Sequence, residues 1–166
     1  VHIADVSHYV QPGTALDADA YKRGTSVYFP DRVLPMFPPD VSNGVCSLNE
    51  GTEKLTISCF MEIGKNGTAH RFSETVIKTA HRMTYGDVNA IFDGNTALCQ
   101  KYADVVPMLE EMRIVMELLN AQRVKRGSID FDLDEAAITL NPAGKPTDIS
   151  IASRGVSNRM IEAFML

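Results

Sequence analysis

The periodicities along the chain predict an α+β fold, a mixed and largely antiparallel sheet with packed helices, and three observations carry that expectation. Leu55, Ile57, Cys59 and Met61 alternate with Thr56, Ser58, Phe60 and Glu62, and Asn66-Gly67 then supplies an αL-tolerant turn before a second strand from Thr68 to about Ala80. Leu109, Met112, Met116 and Leu119 recur on one face of a long helix. Strands joined by hairpins, with helices inserted between them, do not follow the strand-helix alternation of a doubly wound parallel sheet.

From the N-terminus, Val1 to Val6 reads as a buried strand, and Thr14 with Asp17 makes a capping-box-like start to a helix ending near Arg23. Gly24 to Gly51 follows, a run in which Pro30, Pro35, Pro38 and Pro39 fix their own φ and push their predecessors into extended conformations, so regular helix is not expected there. Val27, Tyr28, Phe29, Val33, Leu34, Met36 and Phe37 are too apolar for a floppy linker and imply a packed loop of defined shape. Loops of that kind often carry function. After the hairpin, whose Asn66-Gly67-Thr68 is better read as a turn than as a glycosylation site, Tyr85 to Phe92 forms a short helix closed by Gly94. Pro107 suits the first turn of the long helix, and Arg123, Lys125 and Arg126 complement its C-terminal end before Gly127. Ser128 to Phe131 and Ala136 to Leu140 read as strands, with Asn141-Pro142-Ala143-Gly144 turning into a further strand at Thr147 to Ile151. Ser153 is a plausible N-cap for a last helix with Val156, Met160, Ile161, Phe164 and Met165 on its apolar face. A chain that starts inside a strand and stops inside an apolar helix face is expected to be a central part of one larger domain, spanning 1–166 and truncated at both ends.

Composition narrows the function classes. At 166 residues and 45% hydrophobic content the chain can bury a real core. Its net charge of −5 is the wrong sign for holding a polyanion by bulk electrostatics, so any nucleic-acid contact must be local. Cys46, Cys59 and Cys99 are scattered, without a CxxC pair, which argues against a disulfide framework or zinc site and fits a reducing, cytoplasmic setting. No apolar run is long enough for a bilayer, so no membrane partner is expected. His2, His8, His70 and His81 fall into no metal-ligand spacing, and there is no GxSxG elbow, Walker loop or GxGxxG.

Several ungapped blocks nevertheless carry a resemblance. VHIADVSHYV (Val1 to Val10), LDADAYKRG (Leu16 to Gly24), GTSVYFP, VLPMFPP and VSNGVCSL within Gly24 to Gly51, HRMTYGDV (His81 to Val88), RGSIDF (Arg126 to Phe131) and RMIEAFML (Arg159 to Leu166) occur in this order over nearly the whole chain. The sequence resembles the RNB family, the exonucleases of ribonuclease II and ribonuclease R type, and is most like the latter. The resemblance implies part of an RNB catalytic domain from a 3′-to-5′ exoribonuclease that degrades single-stranded RNA processively to 5′-monophosphates, with flanking RNA-binding domains on the same polypeptide.

By the same resemblance Tyr28 and Phe131 match positions that sandwich bases near the RNA 3′ end, a contact tolerant of base identity. Tyr85 and Glu162 match residues that position the terminal nucleotide and its ribose. A carboxylate accepting from a 2′-hydroxyl is a direct way to prefer RNA over DNA. Asn158 and Glu162 lie four residues apart and form a polar stripe beside the apolar face of the last helix. The family's Mg²⁺ is held by an aspartate cluster just upstream of the VHIADV strand, so the ligands are expected before Val1, none within the chain, and this piece alone is expected to be inactive. Asp130, Asp132, Asp134 and Glu135 do not match that cluster's spacing and are set aside as a metal site. The alternative is a non-catalytic RNA-binding homologue lacking a working metal site.

Overall fold

In the computed structural model, residues 1–64, 67–129, 135–152 and 154–165 are described, the side chains of Gly67 and Thr68 excepted. The chain divides into two compact units, Val1–Arg82 with Ala137–Ser150, and Met83–Ala136 with Ile151–Leu166. Helices and antiparallel sheets make it α+β, as the sequence predicts.

The first unit is built on a three-stranded antiparallel sheet of order β1-β4-β5, formed by β1 (His2–Ala4), β4 (Glu53–Gly64) and β5 (Gly67–Lys78). Register runs from Glu53 opposite Lys78 to Gly64 opposite Gly67, so Gly67 already belongs to the strand, while Asn66 lies outside the described residues. The two faces are covered unevenly. Thr56 and Ser58 are buried, whereas Ile3, Ile57, Phe72 and Val76 on the opposite face are exposed. Burying the polar face is tolerable because every hydroxyl has a partner: Thr56 Oγ1 and Thr75 Oγ1 lie 2.8 Å apart, Ser58 Oγ bonds Thr75 Oγ1, and His2 Nδ1 meets Ser58 Oγ at 2.6 Å. Burial pushes the His2 imidazole below its ordinary pKa. The expected buried strand at Val1 to Val6 is therefore shorter, and its Ile3 faces out. It stops because the Asp5 carboxylate accepts the His8 N–H and caps the short helix α1 (Val6–Tyr9).

Helix α2 (Ala15–Arg23) has the capping-box-like start read from sequence: Thr14 Oγ1 accepts the Asp17 N–H, while Asp17 Oδ2 accepts the N–H of Gly13, one residue before the cap. Gly24 ends it at φ +70°. The Pro-rich run departs from expectation twice. It contains a small hairpin of β2 (Val27–Tyr28) and β3 (Val33–Leu34), whose apolar side chains are largely exposed rather than packed. A π-helical segment, Asp40–Val45, also forms where no regular helix is expected, starting only after Pro39, the last of the prolines. Lys54 Nζ donates to the Gly44 carbonyl at 2.7 Å and ties this segment to β4. A further two-stranded sheet joins β6 (Ala136–Leu140) to β7 (Pro146–Ile151) across the expected turn, where Asn141 Oδ1 accepts from the Ala143 and Lys145 N–H groups. Ser128 and Ile129 are not strand, and the rest of that expected strand lies outside the described residues.

The second unit holds the apolar core. Helices α3 (Tyr85–Phe92), α4 (Thr96–Lys101), α5 (Val106–Lys125) and α6 (Val156–Met165) bury Val88, Ile91, Tyr102, Leu109, Met116, Met160 and Ala163 together. Met112 and Leu119 pack against that cluster, so the methionine-bearing stripe is core. Helix α4 has no counterpart in the sequence reading, although Asn95 caps it through the Leu98 N–H. On α6 the buried positions are Ser157, Met160 and Ala163, while Ile161 and Met165, assigned to the apolar face, are exposed; Ser153 lies outside the described residues.

Candidate functional site

The second unit brings two of the four sequence-derived site residues onto directly joined helices. Ser157, in the first turn of α6, donates its hydroxyl to the Tyr85 carbonyl at 3.1 Å and its N–H to Asn89 Oδ1 at 3.0 Å. Asn89 thus caps α6 from a different helix and satisfies one of its orphan donors. Gly155 is required by the same contact. A Cβ there would sit within 2.6 Å of the Asn89 carboxamide, closer than side-chain atoms approach. Asn158 Oδ1 accepts the Gly155 N–H, so it serves as a local cap rather than as an open polar partner of Glu162. Tyr85 opens α3 behind its Thr84 cap with its side chain about half exposed.

Glu162 is gripped from two sides. Arg123 Nη1, near the end of α5, lies 3.7 Å from Oε1, and Arg154 Nη2 bonds Oε2. Arg123 also reaches Ser128 Oγ at 3.5 Å. All three charged side chains keep solvent contact, so each pair contributes on the order of 0.2–1 kcal/mol, and the chief effect of the arrangement is to fix the direction of the carboxylate. These residues line a cleft of about 170 Å³ together with Asn120 and Arg159. The sequence reading missed Arg154 and Arg159 and treated Arg123 only as a helix-end cation. The available signal was Arg159 three residues before Glu162 on an amphipathic helix; the pairing with Arg123 needs the tertiary fold.

Tyr28, in the first unit, pairs with Val33 on the β2–β3 hairpin and is 76% exposed. The turn beyond it is fixed by the Phe29 N–H donating to the Arg32 carbonyl at 2.8 Å, and the Arg32 guanidinium stands over the Phe29 ring at 5.6 Å. An exposed phenol ring on a short, constrained hairpin can stack a planar ligand at small cost in side-chain entropy. Phe131 lies outside the described residues.

Among the described residues no group of three or more His, Cys, Asp or Glu comes together to hold a metal ion, and no step is assigned to one. Burial raises the Cys46 thiol, which disfavours a thiolate nucleophile. No described helix is long and apolar enough to cross a membrane.

An α+β chain with an open aromatic hairpin and an arginine-rimmed carboxylate is the class of protein that comparison then narrows. The RNB domain matches residues 1–166, and the chain belongs to the RNB family. Ribonuclease R 1 of Lactococcus lactis subsp. lactis is 48% identical over 168 residues, covering 100% of this chain and 21% of that protein. Mycoplasma genitalium RNase R in complex with ribose methylated single-stranded RNA superposes with a TM-score of 0.90 at 27% identity, over 99% of this chain and 26% of that one. The same enzyme in complex with double-stranded RNA gives a TM-score of 0.91 at 27% identity, over 99% and 29%. The chain therefore spans about a fifth to three-tenths of the length of these relatives.

Proposed function

We propose that this chain is the RNA-holding part of a 3′-to-5′ exoribonuclease that hydrolyses single-stranded RNA processively to 5′-monophosphates in the cytoplasm. The observation that supports it most is family membership along the whole chain joined to the exposure of the Tyr28 ring. In this reading Tyr28 and Phe131 sandwich bases without reading them. Tyr85 and Glu162 position the terminal nucleotide, and the carboxylate accepts from the ribose 2′-hydroxyl. Mg²⁺ belongs to an aspartate cluster upstream of Val1 in the full-length protein, which also carries flanking RNA-binding domains. The chain alone binds RNA and does not cleave it.

Replacing Tyr28 and Phe131 with Ala tests the reading. Each stacked base contributes about 1–3 kcal/mol, so each substitution should weaken binding of a short single-stranded RNA by about 5- to 150-fold, with an unchanged far-UV spectrum. Unchanged affinity in both variants would show that the rings do not stack bases. Release of nucleotides from a tailed RNA by the purified, nuclease-free chain in Mg²⁺ would overturn the inactivity of the isolated chain. Loss of the aspartate cluster from the upstream reading frame would favour the non-catalytic RNA-binding homologue.

A further inference from the structure

We propose that the cleft between the C-terminal end of α5 and α6 is a phosphate subsite, in which Arg159 and Arg123 take a phosphate of the RNA backbone beside the ribose presented to Glu162. This rests on the RNA reading above and extends it to residues that reading leaves without a role. Among the described residues that line the cleft, the guanidiniums of Arg123, Arg154 and Arg159 stand beside one carboxylate, that of Glu162, in a chain whose net charge is −5. One carboxylate is satisfied by one or two arginines, and both its oxygens are already engaged by Arg123 and Arg154. Arg159 is exposed, lines the same cleft and has no ion pair among the described residues. Arg123 contacts Glu162 only at 3.7 Å through Nη1, so its geometry leaves room for a tighter anion contact.

The chemistry of the lining suits a phosphate. Guanidinium groups match tetrahedral oxyanions through paired, charge-assisted hydrogen bonds, and Asn120 and Ser128 add neutral polar groups to the same wall. The cleft volume of about 170 Å³ is well above the roughly 10–15 Å³ that one water needs and leaves room for a phosphate group. A phosphate held there would draw Arg123 and Arg159 together across the cleft while Arg154 keeps hold of Glu162. Backbone and sugar would then be gripped within one unit of the protein.

The test uses the full chain, with inorganic phosphate and a short single-stranded oligoribonucleotide as probes. Phosphate should shift the Arg159 and Arg123 Nε–H resonances of the wild type, and Arg159→Gln should weaken that binding about tenfold. For RNA, the slope of log affinity against log salt should fall by about 0.7 in Arg159→Gln, the loss of one phosphate contact on a single strand. Lys125→Gln makes the same charge change on α5 away from the cleft and should leave the slope nearer to wild type. Arg159→Lys should keep the slope and lose part of the affinity, because charge survives and the paired geometry does not. No shift with phosphate, or equal slopes in Arg159→Gln and the wild type, would overturn the subsite. If RNA binds and Tyr28→Ala weakens it while Arg159→Gln changes nothing, the subsite fails and the RNA reading stands. If no RNA binds at all, the RNA reading fails and the phosphate titration alone decides the cleft.

Discussion

Gly155→Ala should destabilise the helical unit through a single overlap, and a second substitution should reverse its sign. Gly155 is not among the glycines with positive φ, so its backbone accepts alanine, and the change by itself should stabilise the chain by about 0.4–1 kcal/mol through the unfolded state. Against this stands the new Cβ, within 2.6 Å of the Asn89 carboxamide. Asn89 must move, and the Ser157 N–H, in a residue only 2% exposed, loses its acceptor. An unsatisfied buried donor costs about 1–3 kcal/mol and overpacking a similar amount, so after the offset the net loss should be about 1–5.5 kcal/mol. In an Asn89→Ala background the obstacle is gone and Gly155→Ala should be neutral or stabilising. The double-mutant cycle, read by urea unfolding with far-UV circular dichroism because the chain has no tryptophan, should therefore show a coupling of about 2 kcal/mol or more. Equal effects of Gly155→Ala in both backgrounds would refute the argument that Asn89 dictates glycine here.

Two further outcomes follow from the packing. His2 has a folded pKa below its unfolded value of about 6.5, so its contribution is complete above that pH and is lost as pH falls through the interval down to the folded pKa. The urea midpoint should drop over that interval, and His2→Gln should flatten the drop; an unchanged profile would place the titration elsewhere. Met116→Ala, in the core stripe, should cost about 2–5 kcal/mol, whereas Met108→Ala, on an exposed position of the same helix, should cost under about 0.5 kcal/mol. Similar losses at both positions would mean that the stripe is not the core.

Local patterns that close on themselves were legible in the sequence. The Thr14 cap on Asp17, the Pro107 start and methionine stripe of α5, and the β4–β5 hairpin all form, because each depends on residues within one or two turns or on a single strand pair. What the alternation from Leu55 to Glu62 could not supply was which face is covered. That depends on a cross-strand hydroxyl seam completed by Thr75, nineteen residues on from Thr56, and by His2 on a third strand. The same limit applies to the site. Tyr28, Tyr85 and Glu162 came from a resemblance of motifs, while Arg154, Arg159 and the role of Arg123 emerge only when α5 and α6 pack. The exposed β2–β3 hairpin shows the converse error: proline-stiffened apolar sequence marks a shaped segment without implying that its side chains are covered.

The charge balance ties these findings to function. A chain at −5 repels a polyanion on average, so it can hold RNA only where cations are gathered against that average or where contact does not depend on charge. The cleft with its three arginines meets the first condition and the open ring of Tyr28 the second. The two contacts should respond oppositely to salt. Binding energy from stacking should survive added salt, whereas the arginine cleft should weaken with it, so Tyr28→Ala should lower affinity by a nearly constant factor across salt concentrations and Arg159→Gln by a factor that shrinks as salt rises. Parallel salt dependence in the two variants would mean that one kind of contact, and not two, holds the strand.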